Sequence, residues 1–227
     1  MIAIIISLGL VSCNRNKVDK SDLKTLKDKA SYALGLDIGK NMRKGQMEVD
    51  ADKLLAGIKE GLLSDTSKVL TDAEVEKVME QFQQELVGKQ QKQMKADADK
   101  NKKEGEAFLK ENTKKQGVVT LPSGLQYKVI AAGKGKKPTL DNKVVVNYRG
   151  TFINGKEFDS SIKRGQPAVF PVKGILKGWE EALQLMSVGD KWNIYLPADL
   201  AYGDRGAGGI IPPGATIIFE VELLDIK

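Results

Sequence analysis

The feature that most constrains the fold of this 227-residue chain is the uneven distribution of its prolines and aromatic residues. All seven prolines and ten of the thirteen aromatic residues lie in residues 118–227. Residues 14–117 contain no proline and are rich in Lys, Glu and Gln, a composition that favours helix. Proline, glycine and aromatic residues among β-branched runs favour strands and turns instead. The sequence therefore predicts an α+β protein with a boundary near Gly117.

The helical half begins with short amphipathic segments. Within residues 22–64, apolar residues recur at helical spacing and five glycines interrupt them. Helices this small bury too little apolar surface to fold alone, so we expect residues 14–70 to form a homodimer.

A long helix is predicted after these segments. Thr71-Asp72-Ala73-Glu74 has the pattern of a capping box, in which Thr71 is the N-cap and Glu74 reaches back to it. Helix-forming residues then continue without proline to about residue 115, a length of roughly 65 Å. The polar middle of this helix favours a connecting stalk over residues 71–117. A charged, partly disordered linker is the alternative.

Residues 1–13 have the pattern of an export signal. Residues 1–11 are almost wholly apolar but too few to span a bilayer, which needs about 20 residues in a helix. Leu10-Val11-Ser12-Cys13 resembles the bacterial lipobox, so Cys13 is the predicted lipidation site and membrane anchor. We expect an extracytoplasmic protein, on the periplasmic side of the outer membrane or in the periplasm. The alternative is an ordinary secretory signal followed by an incidental cysteine.

Charge and composition exclude several classes of function. The net charge of +6 divides evenly, with +3 in residues 14–117 and +3 in residues 118–227, and acidic groups are interspersed throughout. We therefore expect no nucleic-acid partner, because such surfaces need clustered Lys and Arg. The chain has no histidine and one cysteine, which excludes histidine-dependent catalysis, His-ligated metal sites and intrachain disulfides. We expect no cofactor.

The second half carries the pattern of an antiparallel sheet. Strand-like runs that are β-branched or aromatic occur at residues 125–130, 143–152, 168–172, 191–196 and 216–226. Asn154-Gly155 is a hairpin signal, and residues 176–186 have helical spacing of Trp179, Ala182, Leu183 and Met186. These patterns predict a sheet wrapped over one short helix.

Five motifs in this half carry a resemblance to a known family. They are Val146-Asn147-Tyr148-Arg149-Gly150, Phe158-Asp159-Ser160-Ser161, Gly178-Trp179-Glu180-Glu181, Leu200-Ala201-Tyr202-Gly203 and Ile211-Pro212-Pro213-Gly214. In order and spacing, residues 118–227 resemble the FKBP-type peptidyl-prolyl cis-trans isomerases. With the helical first half, the whole chain resembles the bacterial macrophage-infectivity-potentiator type of that family, which is a dimer outside the cytoplasm.

The resemblance implies roles for individual residues. Trp179 is implied as the floor under the substrate proline, Tyr202 as a hydroxyl donor and Asp159 as the group beside the twisting amide. Leu176 is implied as a backbone N–H donor and Arg164 as a partner that holds Asp159. The remaining implied substrate-binding residues are Tyr148, Phe158, Phe170, Ile175, Ile211 and Phe219. Any one of these aromatics alone is better explained as core, and Asp159 alone as a turn residue, but the joint pattern favours a site.

The resemblance also implies the reaction and its partners. The expected function is acceleration of X–Pro rotation in proline-containing unfolded or partly folded proteins, with macrolides as candidate inhibitors. This reaction suits a chain without histidine, because rotation about an amide needs neither a nucleophile nor a metal. The alternative is a dimeric chaperone, or client-binding module, whose isomerase activity is secondary.

Overall fold

The computed structural model describes residues 18–63 and 69–227. The predicted signal segment and Cys13 lie outside the described residues. The chain divides into two compact units between Met79 and Glu80, inside its longest helix.

The first unit is helical, as its composition predicts. A 3-10 turn at Lys20–Asp22 precedes helix α1 (Leu26–Lys44) and helix α2 (Ala51–Leu62), and helix α3 (Asp72–Asn112) begins after them. Side-chain caps start each helix: Thr25 accepts from the N–H of Asp28 on α1, and Asp50 accepts from two N–H groups on α2. The predicted capping box is present at the start of α3. There the Thr71 N–H donates to Glu74 at 2.8 Å, and the Glu74 N–H donates to Thr71 at 3.3 Å.

The first two helices have no hydrophobic core of their own. No residue of α1 or α2 is buried. Large apolar side chains stand open to solvent, among them Leu34 at 66% and Leu62 at 77% exposure. Within the described residues, no helix is both long enough and apolar enough to cross a membrane.

The second unit contains a seven-stranded antiparallel sheet. Its strands are β1 (Val118–Thr120), β2 (Gln126–Ala131), β3 (Lys143–Phe152), β4 (Glu157–Ser160), β5 (Ala168–Pro171), β6 (Lys191–Leu196) and β7 (Ile217–Ile226). The strand order is β1-β2-β6-β7-β3-β4. β5 also pairs with β3, beside the first residues of that strand, whereas β4 pairs with its last residues. Pro171 is compatible with β5 because β5 pairs with a single neighbour and a proline there disrupts no second ladder.

Helix α4 (Lys177–Leu185) packs against one face of this sheet and closes the hydrophobic core. Trp179, Ala182 and Leu183 of α4 are buried, as their helical spacing predicts. They belong to one cluster with the inward-facing residues of the long strands, including Ile194, Phe219 and Val221. The sheet over one short helix matches the predicted fold.

The last part of α3 packs on the opposite face of the sheet. The Phe108 ring lies 6.1 Å from the Tyr195 ring, and Asn112 is fully buried and donates to Gln126 at 2.9 Å. Tyr195 and Gln126 are register partners, so both lie on the face away from Ile194. The predicted long connecting helix is therefore present, and its last part also packs on the sheet through a contact that hydrophobic periodicity did not reveal.

Candidate active site

One cavity of about 360 Å³ opens on the face of the sheet that carries α4. Aromatic and aliphatic side chains form most of its wall, with one carboxylate and two tyrosine hydroxyls among them. The lining residues are Tyr148, Phe158, Asp159, Phe170, Gly174, Ile175, Leu176, Trp179, Tyr202 and Phe219.

Trp179, from the first turn of α4, forms the floor of the cavity. Its ring meets three aromatic neighbours edge to face, at centroid distances of 5.6 Å to Tyr148, 5.9 Å to Phe170 and 5.2 Å to Phe219. This is the arrangement that aromatic quadrupoles favour. Trp179 is 5% exposed, and its Nε1 has no hydrogen-bond partner among residues 18–63 and 69–227. The floor is therefore rigid and apolar, with one uncommitted donor.

Gly150 allows two wall rings to approach the backbone of β3. A Cβ atom at this position would lie 2.6 Å from Cζ of Phe158 and 2.8 Å from a ring carbon of Phe219. Distances below about 3 Å are closer than van der Waals contact permits. The glycine of the Tyr148-Arg149-Gly150 motif is thus required by packing.

Strand pairing places Asp159 in the cavity wall. Asp159 on β4 lies opposite Gly150 on β3. Beyond the strand, the Ser161 N–H donates to the Tyr148 carbonyl at 3.0 Å, and the Tyr148 N–H donates to the Ser161 hydroxyl at 2.8 Å. The two serines after Asp159 therefore continue the pairing with β3 and hold the carboxylate beside Tyr148.

The Asp159 carboxylate is fixed by three donors. The Tyr148 hydroxyl donates to Oδ2 at 2.5 Å, and the Arg164 guanidinium and the Ser160 N–H donate to Oδ1. Arg164 also donates to the Tyr148 hydroxyl at 2.7 Å. Burial pushes the pKa of Asp159 upward, but the hydrogen bonds from Tyr148 and Arg164 outweigh it and leave the pKa below its ordinary value. Asp159 is thus an oriented negative charge at neutral pH.

Two further donors at the cavity have no acceptor in the protein. Burial, and then the charge of Asp159, raises the pKa of Tyr202, so its hydroxyl keeps its proton at neutral pH. In the described parts of the chain, neither the Tyr202 hydroxyl nor the Leu176 N–H donates to another group. Both are available to a ligand.

A short loop before α4 carries the Leu176 N–H. Gly174 has a φ of +90°, which glycine adopts without strain, and its N–H donates to Oε1 of Glu180 at 2.5 Å. Glu180 follows Trp179 on α4, so the helix that carries the floor also anchors this loop. Sequence reasoning did not assign a role to either residue, although Glu180 belongs to the quoted Gly-Trp-Glu-Glu motif.

Comparisons with known proteins identify the family. Residues 27–129 match the domain amino terminal to FKBP-type peptidyl-prolyl isomerase, and residues 134–224 match the FKBP-type peptidyl-prolyl cis-trans isomerase. "Outer membrane protein MIP" of Legionella longbeachae is 44% identical over 209 residues, which cover 92% of this chain and 89% of that protein. The chain belongs to the FKBP-type peptidyl-prolyl cis-trans isomerase family.

Further relatives agree with this assignment. The peptidyl-prolyl cis-trans isomerase Mip of Coxiella burnetii is 46% identical over 205 residues, covering 90% of this chain and 89% of that protein. The crystal structure of FkpA from Escherichia coli superposes with a TM-score of 0.72 at 38% identity, covering 90% of this chain and 98% of that chain. The predicted fold class and the predicted isomerase activity are confirmed. These relatives do not favour the alternative of a client-binding module with secondary activity.

The isomerase brings most of the predicted site residues together. Nine of them line the cavity, and Arg164 joins them through Asp159 and Tyr148. Ile211 does not line it. Ile211 is 6% exposed in the hydrophobic core, and its backbone pairs with Ala207. The adjacent Ile210 lies in the turn between Ala207 and Ile211 and is 63% exposed.

The cavity offers orientation of a bound group in a mainly apolar environment. Both oxygens of Asp159 are occupied by donors, so this carboxylate is poorly suited to take a proton. In the described residues, no three His, Cys, Asp or Glu side chains come together as a metal site. What the arrangement supplies is a dry aromatic floor, one fixed negative charge and two uncommitted donors.

Proposed function

We propose that this isomerase accelerates X–Pro rotation in unfolded or partly folded proteins by holding the proline ring on Trp179. The observation that carries the proposal is the convergence, in one cavity, of an aromatic floor, an ionised carboxylate and two uncommitted donors. The Leu176 N–H and the Tyr202 hydroxyl bind the substrate backbone on either side of the proline. Phe158, Phe170, Ile175 and Phe219 enclose the ring.

The physical basis is the loss of amide resonance during rotation. The X–Pro bond has a barrier of about 18–20 kcal/mol because its C–N bond has partial double-bond character. The planar amide is a strong dipole that water solvates well, and the twisted amide is less polar. Transfer from water to an aromatic cavity therefore destabilises the planar form more than the twisted form.

Asp159 acts in this scheme as a fixed charge. As resonance is lost, the carbonyl carbon of the twisting amide resembles that of a ketone and becomes more positive. A carboxylate held beside that carbon by Tyr148 and Arg164 stabilises the twisted form more than the planar form. No proton is transferred in any step, in keeping with a chain that has no histidine.

Substitution of two cavity residues tests this proposal. We expect Asp159→Ala and Tyr202→Phe each to lower kcat/KM for an X–Pro peptide by about a hundredfold, the lower end of the range for removal of one group that stabilises the transition state. Asp141→Ala and Tyr127→Phe are matched controls outside the cavity and should leave the rate unchanged. Native circular dichroism together with full activity in both cavity variants contradicts the assignment.

Macrolides are proposed inhibitors, because a rigid apolar ring with carbonyl acceptors matches the same floor and the same two donors. We expect such a compound to compete with the peptide. Inhibition that persists unchanged in Tyr202→Phe would contradict a shared donor.

We also propose that residues 14–70 form the interface of a homodimer, with residues 118–227 as the isomerase domain. The support is the absence of any buried residue in α1 and α2, together with exposures of 46% for Leu36 and 45% for Leu55. The same apolar side chains in a second copy of the chain can pack against these helices and bury them. Sedimentation of residues 14–227 should give twice the monomer mass, and Leu62→Glu should reduce it to the monomer. A monomer in the first measurement contradicts the dimer.

We propose an extracytoplasmic location with a lipid anchor at Cys13. The support is the lipobox-like sequence and a relative named as an outer membrane protein. Expression in bacteria fed a labelled fatty acid should label the protein, and Cys13→Ser should abolish the label and release the protein from membranes. Unlabelled protein that fractionates with the cytoplasm contradicts the proposal.

A further inference from the structure

The loop that carries Tyr202 contains only a 3-10 turn at Gly203–Arg205 and one bridge between Ala207 and Ile211 as regular structure. This Tyr202 loop, residues 202–214, contains five glycines at positive φ: Gly203, Gly206, Gly208, Gly209 and Gly214. Glycine loses more conformational freedom on folding than any other residue, so ordering such a loop is costly. The Gly214 N–H donates to the Gly203 carbonyl at 2.9 Å and ties the two ends of the loop together. Contacts from outside the loop are needed to fix its position.

Helix α3 supplies a contact to the first end of the loop. Lys102 Nζ lies 2.6 Å from Oδ1 of Asp204, two residues after Tyr202. The same ammonium lies 3.6 Å from Oδ1 of Asp199, three residues before Tyr202. One lysine therefore contacts both flanks of Tyr202; its side chain is 32% exposed, and those of Asp199 and Asp204 are 82% and 65% exposed.

Helix α3 also holds the second end of the loop. Nδ2 of Asn101 donates to the Pro213 carbonyl at 2.7 Å. One turn earlier, Ala98 is buried against Gly214, where an added Cβ would collide with the Ala98 carbonyl oxygen. The loop backbone thus lies directly on the helix, with an amide donor at the contact.

Gly105 sets the distance between α3 and the sheet. It is buried, and a Cβ there would lie 2.9 Å from Cβ of Thr216 and would collide with the Thr216 hydroxyl. Thr216 follows the Tyr202 loop and precedes β7. Ala98, Asn101, Lys102 and Gly105 recur at spacings of three, one and three, so one stripe of the helix makes all these contacts.

We infer that Asn101 and Lys102 are positioning residues, which clamp both ends of the Tyr202 loop and so hold the Tyr202 hydroxyl at the cavity. The inference rests on the proposed role of Tyr202 in the reaction. It assigns to α3 a part in catalysis, although none of its residues lines the cavity.

Hydrogen exchange in the full chain tests the clamp independently of catalysis. The reporter is the Gly214 N–H, which closes the loop, and the variant is the double substitution Asn101→Ala with Lys102→Ala. In this variant we expect the exchange rate of the Gly214 N–H to rise about tenfold or more, because the contacts of Asn101 and Lys102 limit the opening of the loop. Lys103→Ala, on the exposed side of the same helix, should leave the rate unchanged. An unchanged Gly214 rate in the double variant overturns the clamp.

A double-mutant cycle then tests the link to Tyr202. We expect the double variant to lower kcat/KM for an X–Pro peptide by about three- to tenfold. In a Tyr202→Phe background the same substitutions should change kcat/KM by less than about twofold, because the group they position is already absent. Equal losses in both backgrounds overturn the positioning role and indicate a general loss of structure.

The two measurements separate this inference from the proposed function. If Tyr202→Phe alone is fully active, the proposed role of Tyr202 fails, and with it the link from the clamp to catalysis. The Gly214 exchange rate still decides whether the clamp itself exists.

Discussion

Helices α1 and α2 and the sheet domain of residues 118–227 contain similar fractions of apolar residues but differ in whether those residues are buried. In the sheet unit, Leu183 and Val221 are 1% exposed and belong to one continuous cluster. In α1 and α2 no residue is buried, and Leu34 and Leu62 are largely exposed. The sheet domain buries its apolar side chains within one chain, whereas those of α1 and α2 can be buried only by a binding partner. Amphipathic spacing alone does not show whether the partner of a face lies in the same chain.

The largest expected effect contrasts one leucine from each region. Leu183→Ala should lower the free energy of unfolding of the isomerase domain by about 2–5 kcal/mol, because it leaves a cavity in a closed core. Leu36→Ala should leave that transition unchanged and should instead raise the protein concentration needed to form the proposed dimer. Urea unfolding followed by tryptophan fluorescence reports the isomerase domain, since both tryptophans lie in it. A comparable loss of unfolding free energy in Leu183→Ala and Leu36→Ala would contradict the difference in burial between the two regions.

Two glycines provide a contrast of intermediate size. Gly150→Ala should destabilise the isomerase domain by about 1–3 kcal/mol, because the new methyl group displaces the rings of Phe158 and Phe219. It should also lower kcat/KM, since Phe158 and Phe219 form a wall of the cavity. A variant of native stability and activity contradicts the packing argument.

Gly35 in α1 is the matched position, and its substitution by Ala should change stability in the opposite direction to Gly150→Ala. Within one chain an added Cβ at Gly35 meets nothing within 4 Å, so Gly35→Ala should stabilise the helix by about 0.5–1 kcal/mol. This gain should be visible in helical circular dichroism at protein concentrations where the dimer is dissociated. Destabilisation under those dilute conditions contradicts an open face at this position.

The smallest expected effect is that of pH on catalysis. The lowered pKa of Asp159 keeps it charged below the ordinary value of 3.8, and the raised pKa values of Tyr148 and Tyr202 keep both hydroxyls protonated. We therefore expect kcat/KM to be flat from about pH 5 to about pH 8. The stabilisation that Asp159 gains from Tyr148 and Arg164 is present above its unfolded pKa and is lost as pH falls through its lower folded pKa.

The control for this profile is Asp159→Asn, whose residual activity should show no decline on the acid side. A bell-shaped profile in the wild-type chain with a midpoint near pH 6–7 would indicate a proton-transfer step and contradict the mechanism.

The sequence predicted the long elements well because their patterns are repeated over many residues. β3 and β6 occur with the predicted bounds, and α3 begins at its predicted capping box. Two short strands, Val118–Thr120 and Glu157–Ser160, were not assigned, since three or four residues show too little alternation. Their position depends on pairing with β2 and β3.

The contact between α3 and the sheet unit shows what periodicity misses. Apart from Phe108, the contact is made by small or polar residues, namely Ala98, Asn101, Lys102, Gly105 and Asn112, so one aromatic residue alone does not mark it as an apolar stripe. Close backbone approach and specific hydrogen bonds supply most of this contact. Only the three-dimensional positions of Pro213, Gly214 and Thr216, which α3 contacts, show that this part of the helix packs against the sheet domain.

The family resemblance of the motifs identified cavity residues that the spacing of apolar residues could not identify. Asp159 and Trp179 are 20 positions apart and meet through strand pairing and the seating of α4. The substrate-binding role of Ile211 stays a prediction, because its side chain packs in the same core cluster as Trp179 and Phe219 but does not line the cavity. The bond between Gly174 and Glu180 was missed because it depends on a left-handed glycine in a loop of no regular pattern.

The central claim is that catalysis requires only the second unit, which includes α3 from Glu80 onward, and does not depend on the proposed association through α1 and α2. The direct test is the rate of isomerisation of a short X–Pro peptide per chain, measured across the protein concentrations over which sedimentation shows the dimer dissociating. The account predicts a constant rate per chain across that range. A rate per chain that falls as the dimer dissociates would contradict it.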